Sequence, residues 1–235
     1  AYGQILTQKV LDITKYGVIN VHTSLLPKYR GPAPVQWAIR NGEKITGVTI
    51  MQTDEGIDTG DILQQEKVEI NPGDNTNDVL KKLVPISSKL LVDTLNKIEN
   101  STINRKKQDE SEATYYPMLK KKDGKIDWSL SAGKIINMVR AFNPWPCAFT
   151  NLNGKTLKIY SAELASDKLE QIKRDYNPKF YTNGEVVLAS PKKGLFIKTG
   201  DGVIRLTNIQ MEGSKAMDDK SFINGKKIKE KDILK

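Results

Sequence analysis

Apolar positions along the chain change rhythm near its middle. In residues 4–13, QILTQKVLDI, the residues Ile5, Leu6, Val10 and Ile13 recur at helical spacing. Gly17 then opens GVINVHTS, a short β-branched run expected to form a strand. Residues 47–52, GVTIMQ, and 67–70 predict two further strands, and PVQWAIRNG between the first two predicts a helix ended by Gly42. From Thr76 to Ile98, Leu80, Leu83, Val84, Leu90, Leu91, Leu95 and Ile98 fall three and four apart. They predict one long helix kinked or broken at Pro85, whose ring removes an interior hydrogen bond. Strands alternating with helices imply an α/β unit with a parallel sheet.

Residues 99–122 are polar, charged and almost free of aliphatic side chains, as expected of a linker over a surface. The expected division is therefore 1–98, a linker at 99–122, and 123–235. In the last part, 127–142 predicts an amphipathic helix with Ser129 or Ser131 as N-cap and Leu130, Ile135, Met138, Val139 and Phe142 on its apolar side. Asn143-Pro144-Trp145-Pro146 stops it. Beyond Ala148, short runs such as TLKIY, GEVVLA, GLFIKT and VIRLTNI are punctuated by the turn dipeptides Asn153-Gly154 and Asp201-Gly202. They predict a small β-barrel of about five strands, similar to the OB type.

Composition removes several function classes. With a single cysteine, Cys147, there is no disulfide framework within the chain, so a reducing compartment such as the cytoplasm is expected. No run approaches the length of a membrane-spanning helix, and no membrane association is expected. The net charge is +9, unevenly placed: residues 123–235 carry 20 basic and 13 acidic side chains, whereas 1–122 carry 17 and 15. A positive second half suits a polyanion such as nucleic acid, although a lysine-rich solvated surface has the same composition.

The candidate chemistry is sparse. His22, the only histidine, ends the first predicted strand, and strand alternation puts Asn20 on the same face, with Ser24 in the turn beyond. Strand C-terminal ends are where open α/β sheets bind ligands. The loop Asp54-Glu55-Gly56-Ile57-Asp58-Thr59-Gly60-Asp61 follows the second strand and could orient a histidine, bind a metal or merely be solvated. Its spacing matches no calcium loop, and one His with one Cys makes no zinc set, so no metal is expected. Dinucleotide, P-loop and serine-nucleophile motifs are absent from the sequence.

INVHTSLLPKYRGPAPVQWAI at 19–39 followed by TGVTIMQTDEGIDTGDIL at 46–63 resembles the core of the folate-dependent formyltransferases. IDWSLSA at 126–132 and RAFNPWPCAF at 140–149 resemble the start of the second domain of members that act on tRNA. The resemblance implies a partial Rossmann-like parallel sheet followed by an OB-like, tRNA-binding barrel, with several βα units of the family's pattern expected ahead of Ala1. It implies transfer of a formyl group from 10-formyltetrahydrofolate, the co-substrate, to the α-amine of initiator methionyl-tRNA, by a protein expected to be a monomer. A small amine or water as acceptor, or a catalytically dead RNA-binding fragment, are the alternatives.

By the same resemblance the catalytic residues are Asn20, His22 and Asp58, and Ser24, Leu25, Leu26 and Pro27 contact the folate. Formyl transfer passes through a tetrahedral carbon bearing an oxyanion, which the Asn20 amide and His22 could meet with hydrogen-bond donors. Asp58 either orients and charge-stabilises His22 or takes the amine proton through water. Lys192, Lys193, Lys226, Lys227 and Lys229 are candidates for tRNA contact or for plain solvated surface.

Overall fold

The helical pattern at the start of the chain yields only one turn, α1 (Gln8–Leu11), in which Leu11 alone is buried while Val10 and Ile13 face solvent. So short a helix needs tertiary support, and one buried leucine supplies little. The computed structural model describes residues 6–165, 180–225 and 227–235, so Ile5 and Lys226 lie outside the described residues. The chain divides into two compact units, essentially residues 1–119 and 120–235, with 40–42 grouped with the second.

In the first unit β1 (Ile19–His22), β2 (Ile45–Gln52) and β3 (Ile62–Glu69) lie in the order β1-β2-β3. The unit is α/β, but both pairings are antiparallel, not parallel as the alternation of elements predicts. The link between β2 and β3, nine residues without a helix, is too short for a parallel crossover. The link between β1 and β2 does contain a helix, α2 (Pro34–Asn41), yet it brings the chain back to the end of the sheet where β1 leaves, with His22 opposite Thr49. Thr46 to Met51 of the central strand are all buried. Such an unbroken buried run is common to any strand covered on both faces, so it carries no information about direction.

A single helix, α3 (Thr76–Glu99), packs on β2 and β3 and runs unbroken through Pro85. Buried Val79 and Leu83 anchor the part before the proline, Thr94 and Ile98 the part after it, and an Asn75–Asp78 capping box closes the start. These contacts offset the proline's cost, about 3 kcal/mol in a free helix. Val84 and Leu95, expected on the apolar side, are exposed. The polar segment after α3 lies along the first unit: Ile62 and Lys106 exchange backbone hydrogen bonds of 2.8 and 2.9 Å, and Arg30 pairs with Tyr115 as an isolated bridge.

The first α-helix of the second unit is α4 (Ala132–Ala141), capped by Ser131. It starts later than the pattern from residue 127 predicts, because Asp127 accepts from the backbone and hydroxyl of Ser129 and holds a turn instead. The strands β4 (Ala148–Leu152), β5 (Lys155–Leu164), β6 (Val186–Ser190), β7 (Gly194–Lys198) and β8 (Val203–Met211) form an antiparallel sheet in the order β4-β5-β8-β7-β6. A two-residue β9 (Met217–Asp218) pairs with β8 and leads into α5 (Asp219–Asn224). Asn153 and Gly154 both have positive φ, 51° and 79°, as a type I′ hairpin requires.

The two end strands are joined by the chain's last residues. Asn151 and Lys235 exchange backbone hydrogen bonds at the β4 side, while Leu234 donates to Gly184 and Val186 donates to Asp232 at the β6 side. Burial of Leu157, Ile159, Leu195, Ile197, Ile204, Leu206 and Leu234 fills the interior of this β-barrel.

Candidate active site

His22 closes β1 and is buried, with one ring nitrogen hydrogen-bonded and the other facing a carboxylate. Its Nε2 lies 2.9 Å from the Tyr29 carbonyl oxygen. A carbonyl only accepts, so Nε2 carries the hydrogen, and in the neutral ring Nδ1 carries the lone pair. That nitrogen faces Asp58, whose Oδ2 is 3.6 Å away.

Asp58 sits in the acidic loop at a left-handed φ of 55°, a conformation Asp tolerates better than most residues. Its Oδ2 also accepts a 2.8 Å hydrogen bond from the Gly31 backbone. The carboxylate therefore has one fixed donor and, on its other side, the imidazole. Gly60 brings the loop hard against the end of β2: an added Cβ would lie 1.7 Å from the Gln52 carbonyl oxygen. Of the other acids, Asp54 accepts from Gly56 and Thr59 and shapes the turn, and Glu55 is exposed.

Asn20 lies two residues before His22 on the same strand, half-buried. Among the described residues its carboxamide makes no hydrogen bond. In the turn beyond, Ser24 and Leu26 are buried and Leu25 and Pro27 are half-exposed. Ser24 donates to the Lys28 carbonyl, and Leu26 packs with Met51 and Ile62 while its backbone bonds Thr49 and Gln65. Of these four residues, only Leu25 and Pro27 offer side-chain surface.

The groups that hold His22 and Asp58 escape sequence reasoning. Tyr29 and Gly31 act through their backbones, which side-chain patterns do not mark. Gln108, 50 residues from Asp58, sits in a polar stretch with no periodicity to mark it, yet donates to the Asp58 and Gly60 carbonyls at 2.8 Å each.

The strand that carries Asn20 and His22, with Asp58 facing His22 from a glycine-bounded loop, is followed in the chain by a separate β-domain. Residues 1–95 match the family model described as formyl transferase, and 118–227 match that of the formyl transferase C-terminal domain. The methionyl-tRNA formyltransferase of Caldicellulosiruptor saccharolyticus is 47% identical over the whole chain, which spans 72% of that relative. This chain belongs to the methionyl-tRNA formyltransferase family. Among solved structures, HypX from Aquifex aeolicus in complex with tetrahydrofolic acid shares the fold, with a TM-score of 0.63 at 21% identity over 90% of this chain and 35% of its own. An N-formyltransferase from Helicobacter canadensis, in complex with folinic acid and dTDP-3-aminofucose, has a TM-score of 0.62 at 25% identity over 80% of this chain and 65% of that one.

Proposed function

We propose that the chain transfers a formyl group from 10-formyltetrahydrofolate to the α-amino group of initiator methionyl-tRNA, with Asn20, His22 and Asp58 as its catalytic residues. The observation that carries this reading is the buried His22 ring facing the Asp58 carboxylate, with Asn20 on the same face of β1. The family's substrates and the 47% identity to a methionyl-tRNA formyltransferase supply the acceptor. The formyltransferase structure with folinic acid supports a folate donor, and Leu25 and Pro27 offer it apolar surface.

The amine nitrogen attacks the formyl carbon, and the carbonyl electron pair moves onto oxygen. The Asn20 amide donates to that oxyanion, a type of contact typically worth about 3–4 kcal/mol in acyl transfer. Collapse of the tetrahedral carbon breaks its bond to the folate nitrogen, which takes up a proton as the amine gives one up. His22 takes or relays that proton at Nδ1, and the Asp58 carboxylate at 3.6 Å stabilises the charged ring while the Tyr29 carbonyl keeps accepting from Nε2. Holding both substrates in register supplies the remainder, because neither bond change needs a covalent enzyme intermediate. The excess of basic over acidic side chains in 123–235 suits the second unit to hold the tRNA.

The test is His22→Ala in the complete protein, assayed for formylation of methionyl initiator tRNA. Turnover is expected to fall by about two to four decades with tRNA affinity nearly unchanged. Undiminished turnover would refute the assignment.

A further inference from the structure

The residues that hold the His22–Asp58 pair are themselves held by one segment, 106–116, which crosses the first unit as a strap. Near its start stands Gln108, half-buried, as are Ala113 and Tyr116, in a run whose other residues are exposed. The carboxamide is saturated. Nε2 gives one hydrogen to the Asp58 carbonyl and one to the Gly60 carbonyl, while Oε1 accepts from Arg30 Nε at 3.1 Å and Arg30 Nη2 at 2.9 Å. Its orientation is unambiguous, because turning the amide over would set oxygen against two carbonyls and N–H against the guanidinium.

Arg30 is itself buried and fixed. Its guanidinium meets both carboxylate oxygens of Glu110, at 2.9 and 2.6 Å, and its backbone pairs with Thr114 and Tyr116 at 2.8 and 2.9 Å. The residues on either side of Arg30 reach the catalytic pair directly: the Tyr29 carbonyl accepts from His22, and the Gly31 N–H donates to Asp58. Stacking of the Tyr29 ring on Tyr116, with centroids 5.0 Å apart, ties the same tripeptide to the strap again. Gln108 is thus the piece that joins the loop carrying Asp58 to the segment carrying the two backbone contacts.

The geometry points to Gln108 as a positioning residue of formyl transfer: by clamping the carbonyls of Asp58 and Gly60, it holds Asp58 in its left-handed conformation with the carboxylate on His22. This inference rests on the catalytic reading of His22 and Asp58 given above. Left-handed backbone costs an ordinary residue about 1–2 kcal/mol, and two donors from one rigid amide are a means of holding it there. A displacement of Asp58 by about 1 Å is enough to cost on the order of a hundredfold in turnover.

The experiment compares Gln108→Met, Gln108→Glu, Asp58→Asn and the pairwise combinations in the complete protein, below each variant's unfolding temperature. Gln108→Met is expected to lower kcat by about ten- to a hundredfold, with KM for folate and for tRNA changed by less than about threefold. Gln108→Glu keeps an acceptor for Arg30 but has no hydrogens for the two carbonyls, so it is expected to lose as much. In the Asp58→Asn background either change is expected to cost almost nothing further, because the group being positioned is gone. Full kcat in Gln108→Glu, or costs that multiply in the double variant, would overturn the positioning role while leaving the catalytic reading intact. An unimpaired Asp58→Asn protein would instead overturn the catalytic reading itself. If Gln108→Met does not fold, Gln108→Glu decides by the same two criteria.

Discussion

Gly31 is the point at which backbone, strap and the Asp58 carboxylate meet, so adding one methyl group there tests the arrangement directly. An ideal Cβ on Gly31 would lie 2.2 Å from the Tyr116 carbonyl oxygen and 3.3 Å from its carbon. The first distance is more than about 1 Å short of van der Waals contact. Its φ of 109° is, in addition, one that alanine rarely adopts. To accept the methyl group, the strap must retreat or residue 31 must rotate. Either movement stretches the Arg30–Thr114 and Tyr116–Arg30 hydrogen bonds and the Gly31 N–H bond to Asp58. Strain of about 1–3 kcal/mol and two weakened backbone bonds of about 1 kcal/mol each sum to roughly 3–5 kcal/mol. At about 2–8 °C per kcal/mol, Gly31→Ala should lower the transition of the first unit by at least about 6 °C in calorimetry. Turnover measured well below that transition should fall too, since Asp58 loses its fixed donor. Gly133, in α4 with nothing within 4 Å of an added Cβ, is the control: Gly133→Ala should stabilise, by about 0.5–1 kcal/mol. A Gly31→Ala protein with unchanged transition and turnover would refute the account of how the strap supports the site.

Two further outcomes concern the second unit. Burial pushes the Cys147 thiol above its ordinary value, so the folded state keeps a proton that the unfolded chain loses above about pH 8.5. This contribution is present below that pH and is lost as pH rises. Urea unfolding midpoints should therefore drop more between about pH 7.5 and about pH 10 in the unsubstituted protein than in Cys147→Ala, and equal drops would contradict the linkage. Arg205 donates from Nε to buried Asp219 at 2.7 Å and from Nη1 to Glu163 at 3.1 Å. Arg205→Leu should cost about 3–5 kcal/mol by leaving the Asp219 charge without its cation. Chemical denaturation should show most of that recovered in Arg205→Leu/Asp219→Leu, and no recovery would mean that the arginine acts by packing alone.

The amino-acid sequence by itself determined what depends on near neighbours. Gly42 ends α2 and Asn153-Gly154 turns the β4–β5 hairpin because each supplies a positive φ within two residues of the element it bounds. Ser131 caps α4 through the N–H of Lys134, and the period of two along β1 places Asn20 with His22. Strand direction did not follow from the pattern, since Thr46 to Met51 would be equally buried in either sense. Residue pattern alone left open which carboxylate of Asp54, Glu55, Asp58 and Asp61 meets His22, because the loop's own turns decide where each one points; only the family resemblance singled out Asp58. Tertiary structure alone recruited the Tyr29 carbonyl, the Gly31 N–H and Gln108, and closed the barrel with Leu234 and Lys235. Periodicity records which face a residue turns to the core. A hydrogen bond between groups 27 or 50 positions apart leaves no such record, because it exists only once the sheet and the strap have brought both ends together.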